Sequence, residues 1–166
     1  MGKDIKILIA SLVFTFLLVI GISALFNNKK EPVLSKVTGV EVNPQNYDLG
    51  EVLMKDGLVI REYEVKNLSD QNLIIKKIAT SCMCTEAKVI INGKETPFFG
   101  MEHATDKNPP VNVELNSQET AKVFVSFDPA AHGPEGIGPF ERSVLLTFTD
   151  PAGIVELTFN GNVILQ

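Results

Sequence analysis

Tryptophan is absent from this chain of 166 residues, and cysteine, tyrosine and histidine occur only twice each. Two cysteines cannot staple a small core, so a disulfide-dense scaffold is excluded. Gly 12 and Pro 9 are too few for a collagen-like chain, and 45% apolar with 21% charged residues excludes a disordered one. Long blocks of one charge sign are also missing: 15 Lys+Arg stand against 20 Asp+Glu for a net charge of −5. Residues 1–30 hold four basic groups and one acidic, net +3, which leaves 11 basic and 19 acidic groups, net −8, in the remainder. An acidic body argues against a nucleic-acid surface. No Ser/His/Asp order, HExxH or phosphate-cradling Gly loop occurs, so the residues point to no enzyme and no small-molecule substrate.

What is present first is an apolar run. From Ile7 to Phe26 no side chain is charged, and at about 1.5 Å rise per residue a helix of that length crosses a hydrocarbon core of ~30 Å. The run predicts a transmembrane anchor over 7–26 after a short tail, 1–6. A cleaved secretory signal competes, since Lys3 and Lys6 make a basic start and Ser23-Ala24 are small. Secretory apolar regions, however, run about 7–15 residues and end in a small-x-small site. Here Ile22 and Leu25 flank the small pair. A buried core helix is the third reading, and an uninterrupted run at the extreme N-terminus argues against it. No cysteine follows, which excludes a lipoprotein anchor. Lys3 and Lys6 nearly balance Lys29 and Lys30, so the positive-inside bias is weak. The simpler topology is a signal-anchor with the tail inside and the bulk exported: a single-pass membrane protein whose C-terminal domain is extracytoplasmic.

Residues 27–36 mix charge, Asn and Pro32 and read as a juxtamembrane linker. Residues 37–166 suffice for one domain. There the helical period gives way to short runs rich in Val, Ile, Thr and Phe, each closed by Gly, Pro, Asn or Asp, the pattern of an all-β domain. Strands are expected near Val37–Val42, Leu58–Asn67, Leu73–Ala79, Glu86–Ile91, Val111–Leu115, Thr120–Phe127, Arg142–Thr149 and Ile154–Val163. Ala121, Val123, Val125 and Phe127 share one face, as do Val144, Leu146 and Phe148, and Val155, Leu157 and Phe159. The last two runs flank Asp150-Pro151-Ala152-Gly153 and are expected to pair antiparallel. Earlier, Val59, Tyr63 and Val65 oppose Glu62, Glu64 and Lys66. Two half-buried sheets must cover each other, which predicts an antiparallel β-sandwich. Without Trp, and with its cysteines two residues apart, the domain cannot carry the buried Trp and inter-sheet disulfide of antibody domains.

Two loops stand out. Residues 93–110 form an insertion with Pro97, Gly100, Pro109, Pro110 and a Phe98-Phe99 pair. It is either a functional loop or an edge hairpin with the Phe pair tucked onto the core. Residues 128–139, DPAAHGPEGIGP, carry His132.

Tyr47-Asp48-Leu49-Gly50 with Val52, Val65-Lys66-Asn67, Leu73-Ile74-Ile75, Ser81-Cys82-Met83-Cys84-Thr85, Val123-Phe124-Val125-Ser126-Phe127-Asp128 and Gly161-Asn162-Val163 follow one another in the chain. In that order they resemble the bacterial Ig-like domain of unknown function 1573, which is similar to the β-sandwich modules of sperm and ciliary proteins. The resemblance covers most of Val42 to Ile164. Its most specific part is Ser-Cys-x-Cys-Thr. Met83 stands where the family usually has Gly, and the 93–110 insertion lengthens the path to the Val123 strand. The resemblance implies an Ig-like sandwich of seven to eight strands, commonly exported and tethered, without an established activity.

Cys82 and Cys84 alone have a spacing that suggests chemistry. In an extended strand residues i and i+2 lie nearly 7 Å apart, too far for a relaxed bridge, whereas a turn at Met83 would bring a strained disulfide within reach. Two thiolates can also clasp a soft ion, copper or zinc, with Met101, His103 or His132 from nearby loops. Buried cysteines otherwise serve as small apolar packing. The main expectation is a non-catalytic module that contacts other envelope proteins through edge strands and long loops. The alternative is a thiol or soft-metal protein.

Overall fold

The computed structural model describes residues 2–26, 36–103, 105–149 and 152–165. The chain divides into two units, Met1–Val33 and Leu34–Gln166.

In the first unit Lys3–Phe26 form one α-helix, α1. Leu12, Val13, Phe14, Phe16, Leu17, Leu18 and Val19 are all exposed, and Thr15 turns its hydroxyl back to the Ser11 carbonyl at 3.0 Å. A helix therefore forms over the apolar run, as expected. Among the described residues, however, no helix is long and apolar enough to cross a membrane. The transmembrane part of the expectation does not follow from the structure, because the side chains of residues 20–26 lie outside those described and the continuous described stretch is 11–19. The expected linker also lies outside the described residues, apart from Lys36.

Among the described residues the second unit is an all-β sandwich of ten strands. These are β1 (Val40–Asn43), β2 (Asn46–Leu53), β3 (Val59–Asn67), β4 (Leu73–Thr80), β5 (Thr85–Ile91), β6 (Lys94–Glu95), β7 (Val113–Leu115), β8 (Thr120–Phe127), β9 (Gly138–Thr149) and β10 (Ala152–Ile164). One sheet runs β1-β3-β8-β5-β6 and the other β2-β10-β9-β4-β7. Only the β5–β6 and β9–β10 connections stay within a sheet; every other link crosses between the layers. The expected count of seven to eight is corrected by two strands. β6 is two residues long, too short to leave a period. β2 contains the Tyr47-Asp48-Leu49-Gly50 turn signal, yet it pairs in parallel with β10, Thr158 opposite Asn46 and Ile164 opposite Leu53. That pairing also corrects a purely antiparallel sandwich. Gly50 has φ of +62° and accommodates the register shift opposite Gly161.

The alternating faces meet as expected. Ala121, Val123, Val125 and Phe127 are buried on β8, the strand flanked by β3 and β5, and they face the buried Leu146, Phe148, Leu157 and Phe159 of the other sheet. Removing each of the Val, Leu and Phe side chains from water contributes about 1.5–3 kcal/mol. β9 and β10 pair from Thr149↔Ala152 to Gly138↔Val163, the antiparallel partnership read from their alternation. Tyr63, fully buried, donates its hydroxyl proton across the sandwich to the Thr158 carbonyl at 2.7 Å.

Buried polar groups lock the ends. Asn67 Nδ2 donates to the carbonyls of Gln71, Leu115 and Asn116 at 2.7, 3.1 and 3.0 Å. Its Oδ1 accepts from the Ser69 amide and hydroxyl. The insertion splits its Phe pair: Phe99 is buried and exchanges two main-chain hydrogen bonds with Ala87, whereas Phe98 is exposed. Asn108 Nδ2 then donates to the Ile78 and Gly100 carbonyls, both at 2.9 Å, and the Val111 amide donates to Lys76. The segment thus closes the open side between β5 and β4, so the edge-hairpin reading holds for Phe99 and fails for Phe98.

Candidate functional site

β4 lies in one sheet and β5 in the other, so the chain must cross between layers at Ser81-Cys82-Met83-Cys84. It does so in a tight turn: the Thr85 amide donates to the Cys82 carbonyl at 3.1 Å. The buried Thr80 hydroxyl shares its proton between the Cys82 and Thr85 carbonyls at 3.0 and 2.9 Å, bracing the turn from inside. Ser81 is tied to β9 by its amide, which donates to the Ser143 carbonyl at 3.0 Å, and by its hydroxyl, which accepts from the Ser143 amide at 2.9 Å. The Asp128 amide, at the end of β8, donates to the Cys84 carbonyl at 2.9 Å. Both cysteine sulfurs are therefore held by a braced backbone. Met83, at the apex, is exposed.

The second crossover at the same end, from β8 to β9, brings in His132. The Asp128 carboxylate accepts from the Ala130 amide at 2.8 Å, starting a tight local turn. Gly136 lets the loop fold back over the ring, since a Cβ there would lie 3.0 Å from the Cβ of His132. His132 Nε2 then stands 3.1 Å from Cys82 Sγ. Arg142, on β9, donates through Nε to Cys84 Sγ at 3.4 Å, and the Cys84 amide donates to Cys82 Sγ at 3.4 Å.

The two sulfurs and the imidazole nitrogen all lie within 4.8 Å of one another. With bonds of about 2.3 Å to sulfur and about 2.0 Å to nitrogen, ligand atoms around one ion sit roughly 3.5–4 Å apart. The Cys82–His132 pair, at 3.1 Å, is a little closer than that, and the other separations lie within 4.8 Å. The cysteines are buried and His132 is exposed, so the cluster opens toward solvent on the imidazole side. Glu135, Ile137 and Pro139 line the surface depression there, with His132 and Arg142.

The two thiols differ. Burial pushes Cys82 up, but hydrogen bonds from Cys84 and its amide and from His132, with the Arg142 cation nearby, outweigh burial and bring it to about 7. For Cys84 burial again acts upward and Cys82 adds to it, beyond what Arg142 and Thr85 pull back, so its pKa is raised. One negative charge on the pair therefore rests on Cys82. Both cysteines are free thiols in this structure, and the chain does turn at Met83, the condition on which bridging depended.

Of the residues singled out from the sequence, Cys82, Cys84 and His132 come together. His103 is not in that group and is exposed in a backbone turn with Asp106; Met101 is 40% exposed and its backbone bridges Thr80, at the start of the same turn. Arg142 was not a candidate, because an Arg opening a strand reads as a solvated end. Only the pairing of β9 against β4 brings it to the cysteines.

Residues 40–97 match the model of the family described as protein of unknown function (DUF1573). The resemblance read from the sequence is thus shown, the match taking in the first part of the span from Val42 to Ile164 and both cysteines. No curated protein matches the sequence. Among solved structures, a protein of unknown function from Porphyromonas gingivalis W83 is similar with a TM-score of 0.53 at 12% identity, covering 81% of this chain and 51% of that one. This chain therefore spans about half the length of that protein. The secreted serine protease VesC from Vibrio cholerae gives 0.48 at 12% identity, over 75% of this chain and 23% of that one. The CARDB domain of PF1109 from Pyrococcus furiosus gives 0.34 at 21%, over 81% and 96%. At these identities the Porphyromonas likeness is one of fold alone.

Proposed function

We propose that this chain is a non-enzymatic, membrane-tethered and exported Ig-like module whose Cys82, Cys84 and His132 bind one soft metal ion. The convergence of two sulfurs and one imidazole nitrogen within 4.8 Å, from two loops distant in sequence, carries the reading. Packing alone requires neither the His132 contact nor the exposed flank. The test is metal analysis of the full chain purified in mild detergent under reductant, followed by titration with Cu(I) and Zn(II). One equivalent per chain is expected, lost in Cys82→Ser and Cys84→Ser and weakened in His132→Asn. No bound metal at micromolar concentration, or equal binding by all variants, overturns it.

Contact with other envelope proteins is a second reading, favoured by β2. This strand is eight residues long and, among the described residues, pairs only with β10, so its outer edge offers main-chain groups to an added strand. The tether is supported by α1, whose apolar side chains from Leu12 to Val19 are exposed, as lipid contact requires. Protease treatment of intact cells tests the placement: cleavage of the sandwich from outside is expected, and full protection removes the exported topology.

A further inference from the structure

We propose that Arg142 makes this site selective for a monovalent soft cation, Cu(I), over divalent zinc. The inference rests on the reading of Cys82, Cys84 and His132 as the ligands. Arg142 Nε lies 3.4 Å from Cys84 Sγ, so its guanidinium is a permanent positive charge against the sulfur pair. Two thiolates, a neutral imidazole and one arginine sum to −1. A Cu(I) ion brings that sum to zero; a zinc ion leaves +1 beside two buried cysteines, where unbalanced charge is costly.

Coordination number points the same way. Among the described residues no fourth His, Cys, Asp or Glu joins the three converging donors, so they do not make the closed four-ligand set of structural zinc. Soft thiolates with one imidazole satisfy Cu(I) without a fourth. Glu135 lines the adjoining depression, but its carboxylate is not in the group of converging donors. The remaining neighbour of Cys84, the Thr85 hydroxyl at 3.6 Å, is neutral.

The repulsion between Arg142 and a bound ion scales with the ion's charge. Removing the arginine therefore relieves zinc twice as much, in logarithmic terms, as it relieves Cu(I). Any change in the cost of deprotonating the thiols affects both ions equally and cancels from the ratio. The experiment measures Cu(I) affinity by competition with a bicinchoninate-type chelator and Zn(II) affinity by competition with a colorimetric zinc chelator. It uses the full chain and its Arg142→Gln, Arg142→Met and Arg142→Lys variants, with thermal melts as the folding control. The Cu(I)/Zn(II) affinity ratio is expected to fall by about tenfold in Arg142→Gln and Arg142→Met, and to hold within about threefold in Arg142→Lys. An unchanged ratio in a folded charge-removing variant overturns the selectivity while leaving the site standing. Failure of the unaltered chain to bind either ion overturns the site itself.

Discussion

His132 Nε2 stands 3.1 Å from Cys82 Sγ although fifty residues separate them. The contact exists because the β4–β5 and β8–β9 crossovers meet at one end of the sandwich. Its chemical consequence is an unequal thiol pair. Cys82 is held toward its thiolate by hydrogen bonds from Cys84 and its amide and from His132, while Cys84 is more deeply buried and held toward its thiol. In the metal-free chain at pH 7, limiting iodoacetamide is expected to label Cys82 several-fold ahead of Cys84, because the thiolate is the nucleophile. Peptide mass spectrometry checks this, and equal labelling would contradict the assignment.

Glu102 ties the insertion to β4. Its carboxylate takes an ion pair from Lys77 at 2.5 Å and accepts the Asn108 amide at 2.9 Å. Burial pushes its pKa up, but these partners outweigh burial and hold it below the ordinary 4.5. A folded value below the unfolded one means stability that is fully present above the unfolded pKa and lost as pH falls through the folded one. Denaturant midpoints from pH 7 to pH 3 should therefore fall more steeply for the parent than for Glu102→Gln. Parallel acid limbs would show that the pair contributes nothing.

Asn67 is fully buried and serves three carbonyls and a serine. Replacing it by Ala strands those acceptors without water, at a cost of about 2–4 kcal/mol. Asn67→Asp should be worse, since a carboxylate would face the same carbonyl oxygens. Equilibrium urea unfolding measures both, and a change under about 0.5 kcal/mol for Ala would mean the loops are held otherwise.

Gly161 tests the close approach of β2 to β10. A Cβ there would sit 2.8 Å from the Gly50 carbonyl oxygen and 3.0 Å from Phe140 Cζ, and the first of these is backbone that cannot rotate away. Gly161→Ala is expected to cost about 1–3 kcal/mol. At Gly50 nothing lies within 4 Å, so Ala meets only the strain of φ +62°, about 1 kcal/mol. Thermal melts should order the two variants accordingly, and the reverse order would place the tight contact elsewhere.

Much of the fold was legible where one strand's own alternation suffices. Thr120–Phe127 has the bounds that its alternation predicts, and the buried faces of β8, β9 and β10 follow period two. β2 was missed because Asp48 and Gly50 carry a real turn signal: the carboxylate does accept the Gly50 amide at 2.9 Å. The strand forms around that turn because β10, more than a hundred residues later, supplies its partner. His103 and His132 looked alike as loop histidines, and nothing in their neighbours separates them.

The sequence by itself determined the apolar N-terminal helix, the period-two strands and the pairing of cysteines around Met83, because each depends on residues a few positions apart. Tertiary structure alone decided the order of strands in the sheets, and with it the meeting of the Cys82–Cys84 turn, His132 and Arg142. Those contacts span fifty residues or more, and they arise only when two apolar faces close on each other and force the crossovers to one end.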